Sequence, residues 1–239
     1  MNSTLVTKLR SRPLIWSLLS MLTFLLAGCS SAPIQSKTEY KKVVILNGIS
    51  TEVVAYYKGL TVFTNDTYPK LKMPELRSSL DALLLSEFRS RLPQAQVVVD
   101  HANGEKLSKL KDQKEIRALK AGVAQQSGAD AVVIVTSHKY FPYGYPASMS
   151  AENGLWSSSV LGTETAFVES YISAKVWDVK SQKDLGSIWS MPSTGGVEVK
   201  VSFPFDGAQF SPQDREAILR SLNKNITRKV SKQLDQSGL

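Results

Sequence analysis

Cysteine is almost missing from this chain: among 239 residues only Cys29 carries a thiol. No intramolecular disulfide can form, so the fold must stand on its apolar core. Histidine is nearly as scarce, with His101 and His138 alone. A zinc site of His and Cys ligands cannot be assembled in one subunit without carboxylates. The phosphate cradle, the dinucleotide turn G-x-G-x-x-G, the nucleophile elbow G-x-S-x-G and the calcium loop D-x-[DN]-x-[DN]-G are all lacking. No metal and no cofactor is therefore expected. No apolar stretch reaches the ~20 residues that a spanning helix needs. Lys and Arg are nowhere dense enough to bind nucleic acid, although the formal net charge is +8.

What is present begins at the N-terminus. Residues 1–13 carry Lys8, Arg10 and Arg12 without an acid, and Leu14 to Ala27 is uncharged and rich in Leu. This run has the length of a signal-peptide core. It ends in Leu26-Ala27-Gly28-Cys29, which resembles the signal box of bacterial lipoproteins. The rival reading is an uncleaved anchor helix. The resemblance implies cleavage between Gly28 and Cys29, a diacylglycerol on the Cys29 sulfur and a third acyl chain on its freed amine. At ~0.8 kcal/mol per buried methylene, several chains anchor stably where one would be marginal. Ser30 in place of Asp implies sorting to the outer membrane, with inner-membrane anchoring and surface exposure left open.

Three segments follow: a signal peptide over 1–28, the lipidated Cys and a short tether over 29–41, and one domain over 42–239. The tether is polar and aperiodic, and its dozen residues reach at most roughly 40 Å. The domain is thus expected close to its membrane.

Within the domain, Lys42 to Leu46, Ala95 to Asp100 and Ala131 to Val135 read as strands. Glu52–Tyr57 and Leu60–Thr64 suggest a hairpin about Lys58-Gly59. Pro74 opens a helix with Leu76, Leu80, Leu83, Leu84, Phe88 and Leu92 on one face and Arg77, Asp81 and Arg89 opposite. Asn103-Gly104 reads as a turn, followed by a short charged helix over Glu105–Lys111. Asp112 starts a helix that stops at Gly128. Residues 142–163 are rich in Ser, Gly and Pro and read as a long loop. Thr165 to Val179 alternates as one long strand, then turns back into another. Val197, Val199, Val201 and Phe203 alternate too. Ser211-Pro212 caps a last helix with Ile218, Leu222, Ile226, Val230 and Leu234 on its face. The expected fold is α/β: a single two-layer sandwich, a mixed sheet with an antiparallel C-terminal meander, and three main helices.

Three stretches carry a further resemblance: Leu80-Asp81-Ala82-Leu83-Leu84, Gly128-Ala129-Asp130-Ala131-Val132-Val133-Ile134, and Ile172 to Lys180. They are similar to segments in small bacterial envelope domains. These are the N-terminal domain of the Tol-system propeller protein, the curli-secretion and Pel-export lipoproteins, and lipoprotein activators of penicillin-binding proteins. The resemblance implies binding or assembly at the envelope, without catalysis. The short tether departs from the long one of the activators and favours work near the outer membrane.

The candidate partner-binding loop holds Tyr140, Phe141, Tyr143 and Tyr145, with Trp156 further along. Planar rings on a Gly/Pro-stiffened loop can stack on sugars or fill a partner's pocket. The competing reading is that some of these rings pack back on the sheet. An envelope protein or glycan is the expected partner, with a homo-oligomer as an option. The alternative function is an envelope hydrolase using His138 with a Ser of the 147–159 stretch. Asp130 and Asp178 are read as binding nearby backbone.

Overall fold

Residues 39–58, 66–67, 70–139, 151–160, 163–187, 196–203 and 209–236 are described by the computed structural model. All belong to one unit, Gln35–Leu239. The expected boundaries 28/29 and 41/42 thus fall outside or at the edge of the described residues.

The α/β class holds, but the sheet is two sheets. The first has the order β10-β9-β6-β1-β5: β1 (Lys42–Gly48), β5 (Gln96–Val99), β6 (Ala131–Ser137), β9 (Ile172–Asp178) and β10 (Lys183–Ser187). Here β1 lies parallel to both β5 and β6, while β9 is antiparallel to β6 and β10. The second has the order β11-β8-β7-β2-β3: β2 (Glu52–Lys58), β3 (Asp66–Thr67), β7 (Asn153–Val160), β8 (Thr163–Ser170) and β11 (Val197–Glu198), with β4 (Leu71–Lys72) also on β2. The hairpin expected at Lys58-Gly59 has its second strand outside the described residues.

Three neighbouring strands of the first sheet, β9, β6 and β1, are matched in order by β8, β7 and β2 of the second; β2 follows β1 after residues 49–51, and Tyr171 alone separates β8 from β9. The single strand expected over Thr165–Val179 is thus two, interrupted at Tyr171. Alternation alone could not show this, because the side-chain period passes through the break unchanged. Ala166, Val168, Ile172, Ala174 and Val176 all enter the same core cluster. Part of the loop expected over 142–163 is strand: Asn153–Val160 is β7, held parallel to β2 and antiparallel to β8. Its Ser-rich sequence hid this, since pairing on both sides compensates for poor strand propensity.

Four helices are described: α1 (Glu75–Arg91), α2 (His101–Lys109), α3 (Gln113–Ser127) and α4 (Pro212–Gln236). Odd-numbered Val43 and Ile45 of β1 join Leu76, Leu80, Leu84 and Phe88 of α1 and the predicted apolar face of α4. Even-numbered Val44 and Leu46 join Leu107, Leu119 and Val123 of α2 and α3. The first sheet therefore has helices on both faces, as period-two alternation in a continuously apolar strand requires. Each fully buried aliphatic side chain contributes roughly 1.5–3 kcal/mol, and all five apolar residues on the face of α4 are 0–1% exposed.

Helix α2 corrects two expectations. Asn103-Gly104 is no turn: Asp100 accepts the Asn103 N–H at 3.0 Å and starts the helix there. Gly104 lets α2 lie on β1, since a Cβ would stand 2.8 Å from the Asn47 carbonyl oxygen. Asp81 is also corrected. Expected on the solvent face of α1, it is buried, accepting Asn47 Nδ2 at 2.7 Å and meeting His101 Nδ1 at 2.7 Å. Other local signals stand where they were read. Asp112 caps α3 on the Lys114 N–H, Gly128 ends it at φ 65°, and Ser211 caps α4 on the Asp214 N–H.

Candidate functional site

Parallel strands β1 and β6 end side by side, and open sheets hold ligands outside such carboxyl ends. A cleft of about 690 Å³ lies there, between the outer face of the first sheet and the junction of α2 with α3. Its floor is made by the register pairs Ile134–Lys175 and Thr136–Ser173 of β6 and β9. Ser108 and Lys111 form one wall, and Gln113, Arg117 and Lys120 of α3 another. Gly48 closes the end of β1, where a Cβ would meet Leu107 at 2.9 Å.

The cleft is cationic. Lys111, Arg117, Lys120, Lys139 and Lys175 line it against two acids, Glu152 and Asp184. Both acids are engaged. Lys120, buried over the Trp177 ring, holds Asp184 at 2.5 Å. Glu152 accepts the Ser137 hydroxyl at 2.9 Å, and Ser137 in turn accepts the Ser50 N–H. Among the described residues, no carboxylate pairs with Lys111, Arg117, Lys139 or Lys175. His138 sits at the same end of β6, its N–H on the Tyr171 carbonyl oxygen. Burial, then the charge of Lys175, holds its imidazole below the ordinary value, against the pull of Glu152.

Of the residues read from the sequence, His138 is in the cleft. Cys29, Gly28, Tyr140, Phe141, Tyr143 and Tyr145 lie outside the described residues. Lys139 and Glu152, on either side of the 140–151 segment, both line the cleft. Trp156 corrects its expectation: it is a residue of β7, 0% exposed, stacked on its cross-strand partner Tyr56 at 4.7 Å between ring centroids. The ring folds back over Gly154, where a Cβ would come within 2.3 Å of the indole nitrogen. Trp156 therefore packs on the sheet and is withdrawn from the binding surface. Among the serines of 147–159, Ser157 is buried in β7. Asp130 and Asp178 act on backbone as read. Asp130 accepts the N–H groups of Lys41 and Lys42 at 2.8 and 2.9 Å, and Asp178 that of Ser181 at 2.7 Å.

The cleft itself was not legible, because its unpaired cations are spread from residue 111 to 175. A buried polar stripe on α4 was missed as well. Asn225, Lys229 and Gln233 recur at every fourth position beside the apolar face, and that spacing was the available signal. Asn225 accepts the Ser170 N–H at 3.1 Å, and Lys229 donates to the Ser170 carbonyl at 2.6 Å. These contacts clamp the junction of the two sheets from the face of the first sheet opposite the cleft. Asn153 completes the clamp, donating to the Ser50 carbonyl and accepting the Ser170 hydroxyl.

The chain matches no family model and no curated protein. Several solved structures are similar to it at low level, among them the following three. A Xanthomonas campestris protein of the DUF330 family is 10% identical, with 86% of this chain and 90% of that one covered, at a TM-score of 0.39. A Helicobacter pylori protein described as a homolog of the neuraminyllactose-binding hemagglutinin is 14% identical, with 87% and 94% covered, at 0.32. Lipoprotein GNA1162 from Neisseria meningitidis is 13% identical, with 80% and 99% covered, at 0.26. None of the three is from the families that the sequence stretches resemble, and at these TM-scores the likeness carries neither a family nor a function.

Proposed function

We propose that this is a lipid-anchored envelope protein, cut before Cys29 and held on the periplasmic face of the outer membrane, that binds an envelope component without transforming it. The carrying observation is the N-terminal sequence: a basic segment, a short uncharged apolar run, and Leu26-Ala27-Gly28-Cys29 holding the only thiol. Among the described residues no helix is long and apolar enough to cross a membrane. The cleft supplies a place for a ligand, concave and polar-lined, at strand ends where α/β sheets commonly bind. A binding role is favoured over the hydrolase of His138 with a Ser of the 147–159 stretch because Ser157, in that stretch, is buried in β7.

Two measurements test this. Palmitate labelling of cells should mark the wild-type chain and miss Cys29→Ser, which should also stop processing. Equal labelling of the two chains sinks the anchor. A photocrosslinking residue at Gln113, in the cleft wall, should capture an envelope component in intact cells. Capture identical to that from a crosslinker at Lys224, on the opposite helix α4, sinks the cleft as the binding face.

A further inference from the structure

We propose that the ligand of the cleft bears phosphate. This deepens the binding role above and rests on it. Four cations, Lys111, Arg117, Lys139 and Lys175, line one cavity of about 690 Å³, and among the described residues none is paired with a carboxylate. Such charges repel one another across a small space, and an occupant of high negative charge density relieves that repulsion. Phosphate fits the donor set. Three of the four are lysines, which meet phosphate oxygens as point charges, and the fork of Arg117 can meet two such oxygens at once. The fifth cation, Lys120, is held by Asp184 and Trp177 and fixes the position of the wall. Gln113, Thr136 and Ser173 line the same space and offer hydrogen bonds to a polyol attached to the phosphate. The N-terminus of α3 is not the seat, since Asp112 already occupies it.

The cleft has room for a small phosphorylated polyol, whether free or as the headgroup of a lipid. Both sources present the same chemistry, and the test separates them. The full chain in neutral detergent is titrated calorimetrically with inorganic pyrophosphate, glycerol 3-phosphate and dihexanoyl phosphatidic acid. One site is expected for at least one probe. The pair Arg117→Gln and Lys175→Gln should weaken it about tenfold or more. The pair Lys224→Gln and Lys232→Gln, which removes the same charge from exposed positions on α4, should leave it unchanged. Should the first pair fail to fold, Lys111→Gln with Lys139→Gln, both exposed, gives the same reading. Equal binding of glycerol 3-phosphate and the short-chain lipid assigns a soluble ligand, and binding of the lipid alone assigns a headgroup. The proposal is overturned if no probe binds, or if cleft and control pairs weaken binding equally. Crosslinking at Gln113 without phosphate binding would leave the binding role standing and remove only the phosphate.

Discussion

Gln233 and Ala174 meet as two strands would: the Gln233 Oε1 accepts the Ala174 N–H at 2.6 Å, and its Nε2 donates to the neighbouring Ile172 carbonyl at 3.1 Å. The pairing of β10 with β9 begins at Lys175, so residues 172–174 lie beyond the ladder on that side. A helix side chain completes the backbone bonding there. Gln233→Leu keeps the volume and removes both bonds. An unsatisfied buried group costs about 1–3 kcal/mol, so a loss of about 2–4 kcal/mol is expected in urea unfolding. A midpoint within error of wild type would show that the edge is satisfied otherwise.

One turn earlier on α4, Lys229 and Glu169 form a buried ion pair at 3.3 Å, their side chains 1% and 5% exposed. Burial drives the ammonium of Lys229 below its ordinary pKa, although Glu169 pulls the other way. Lys229→Met leaves a carboxylate buried alone and should cost about 3–5 kcal/mol. Adding Glu169→Gln removes that charge and should restore part of the loss. The restoration stays incomplete because the Ser170 carbonyl still lacks the donor it had at 2.6 Å. A double variant no more stable than the single one would contradict this.

Gly104 is required by contact rather than by backbone angle. Gly104→Ala places a methyl 2.8 Å from the Asn47 carbonyl oxygen and 3.0 Å from its nitrogen, and neither backbone atom can turn aside. Overpacking of this kind costs about 1–3 kcal/mol, more than the gain from the better helix propensity of Ala. Thermal unfolding of G104A should therefore fall below wild type; a rise would show that α2 floats free of β1.

His138 gives the cleft a spectroscopic reporter. Its folded-state pKa lies below the ordinary imidazole value, through burial first and Lys175 second. As pH falls through that ordinary value, the unfolded chain takes up a proton that the folded chain resists, so stability declines until the folded group also protonates. His138→Gln should flatten this part of the profile. An anion entering the cleft offsets the field of Lys175, so pyrophosphate should move the ring-proton titration of His138 upward. A downward or absent shift would place the bound anion elsewhere.

Local grammar was readable in the chain, and long-range pairing was not. The faces of α1 and α4, the caps at Asp112, Gly128 and Ser211, and the strand around Val133 depend on residues within a few positions of one another. Trp156 shows the opposite case. Its neighbours are serines and glycine, so nothing local marks a strand, and its burial comes from Tyr56, a hundred positions earlier. The site has the same character. Lys111, Lys139 and Lys175 look like scattered solvated charges until β6, β9 and α3 bring them around one hollow. Tyr171 lies between, since alternation tells which side faces inward and is silent about which neighbour a strand takes.

The single residue between β8 and β9 has a mechanical consequence. Lys175 on the cleft floor and Val168 in the second sheet stand on β9 and β8, which Tyr171 alone separates. Tyr171 ties the two sheets at this point, its N–H on the Glu152 carbonyl oxygen and its carbonyl oxygen taking the His138 N–H. A load applied to the second sheet thus has a main-chain route through Tyr171 to the floor of the hollow.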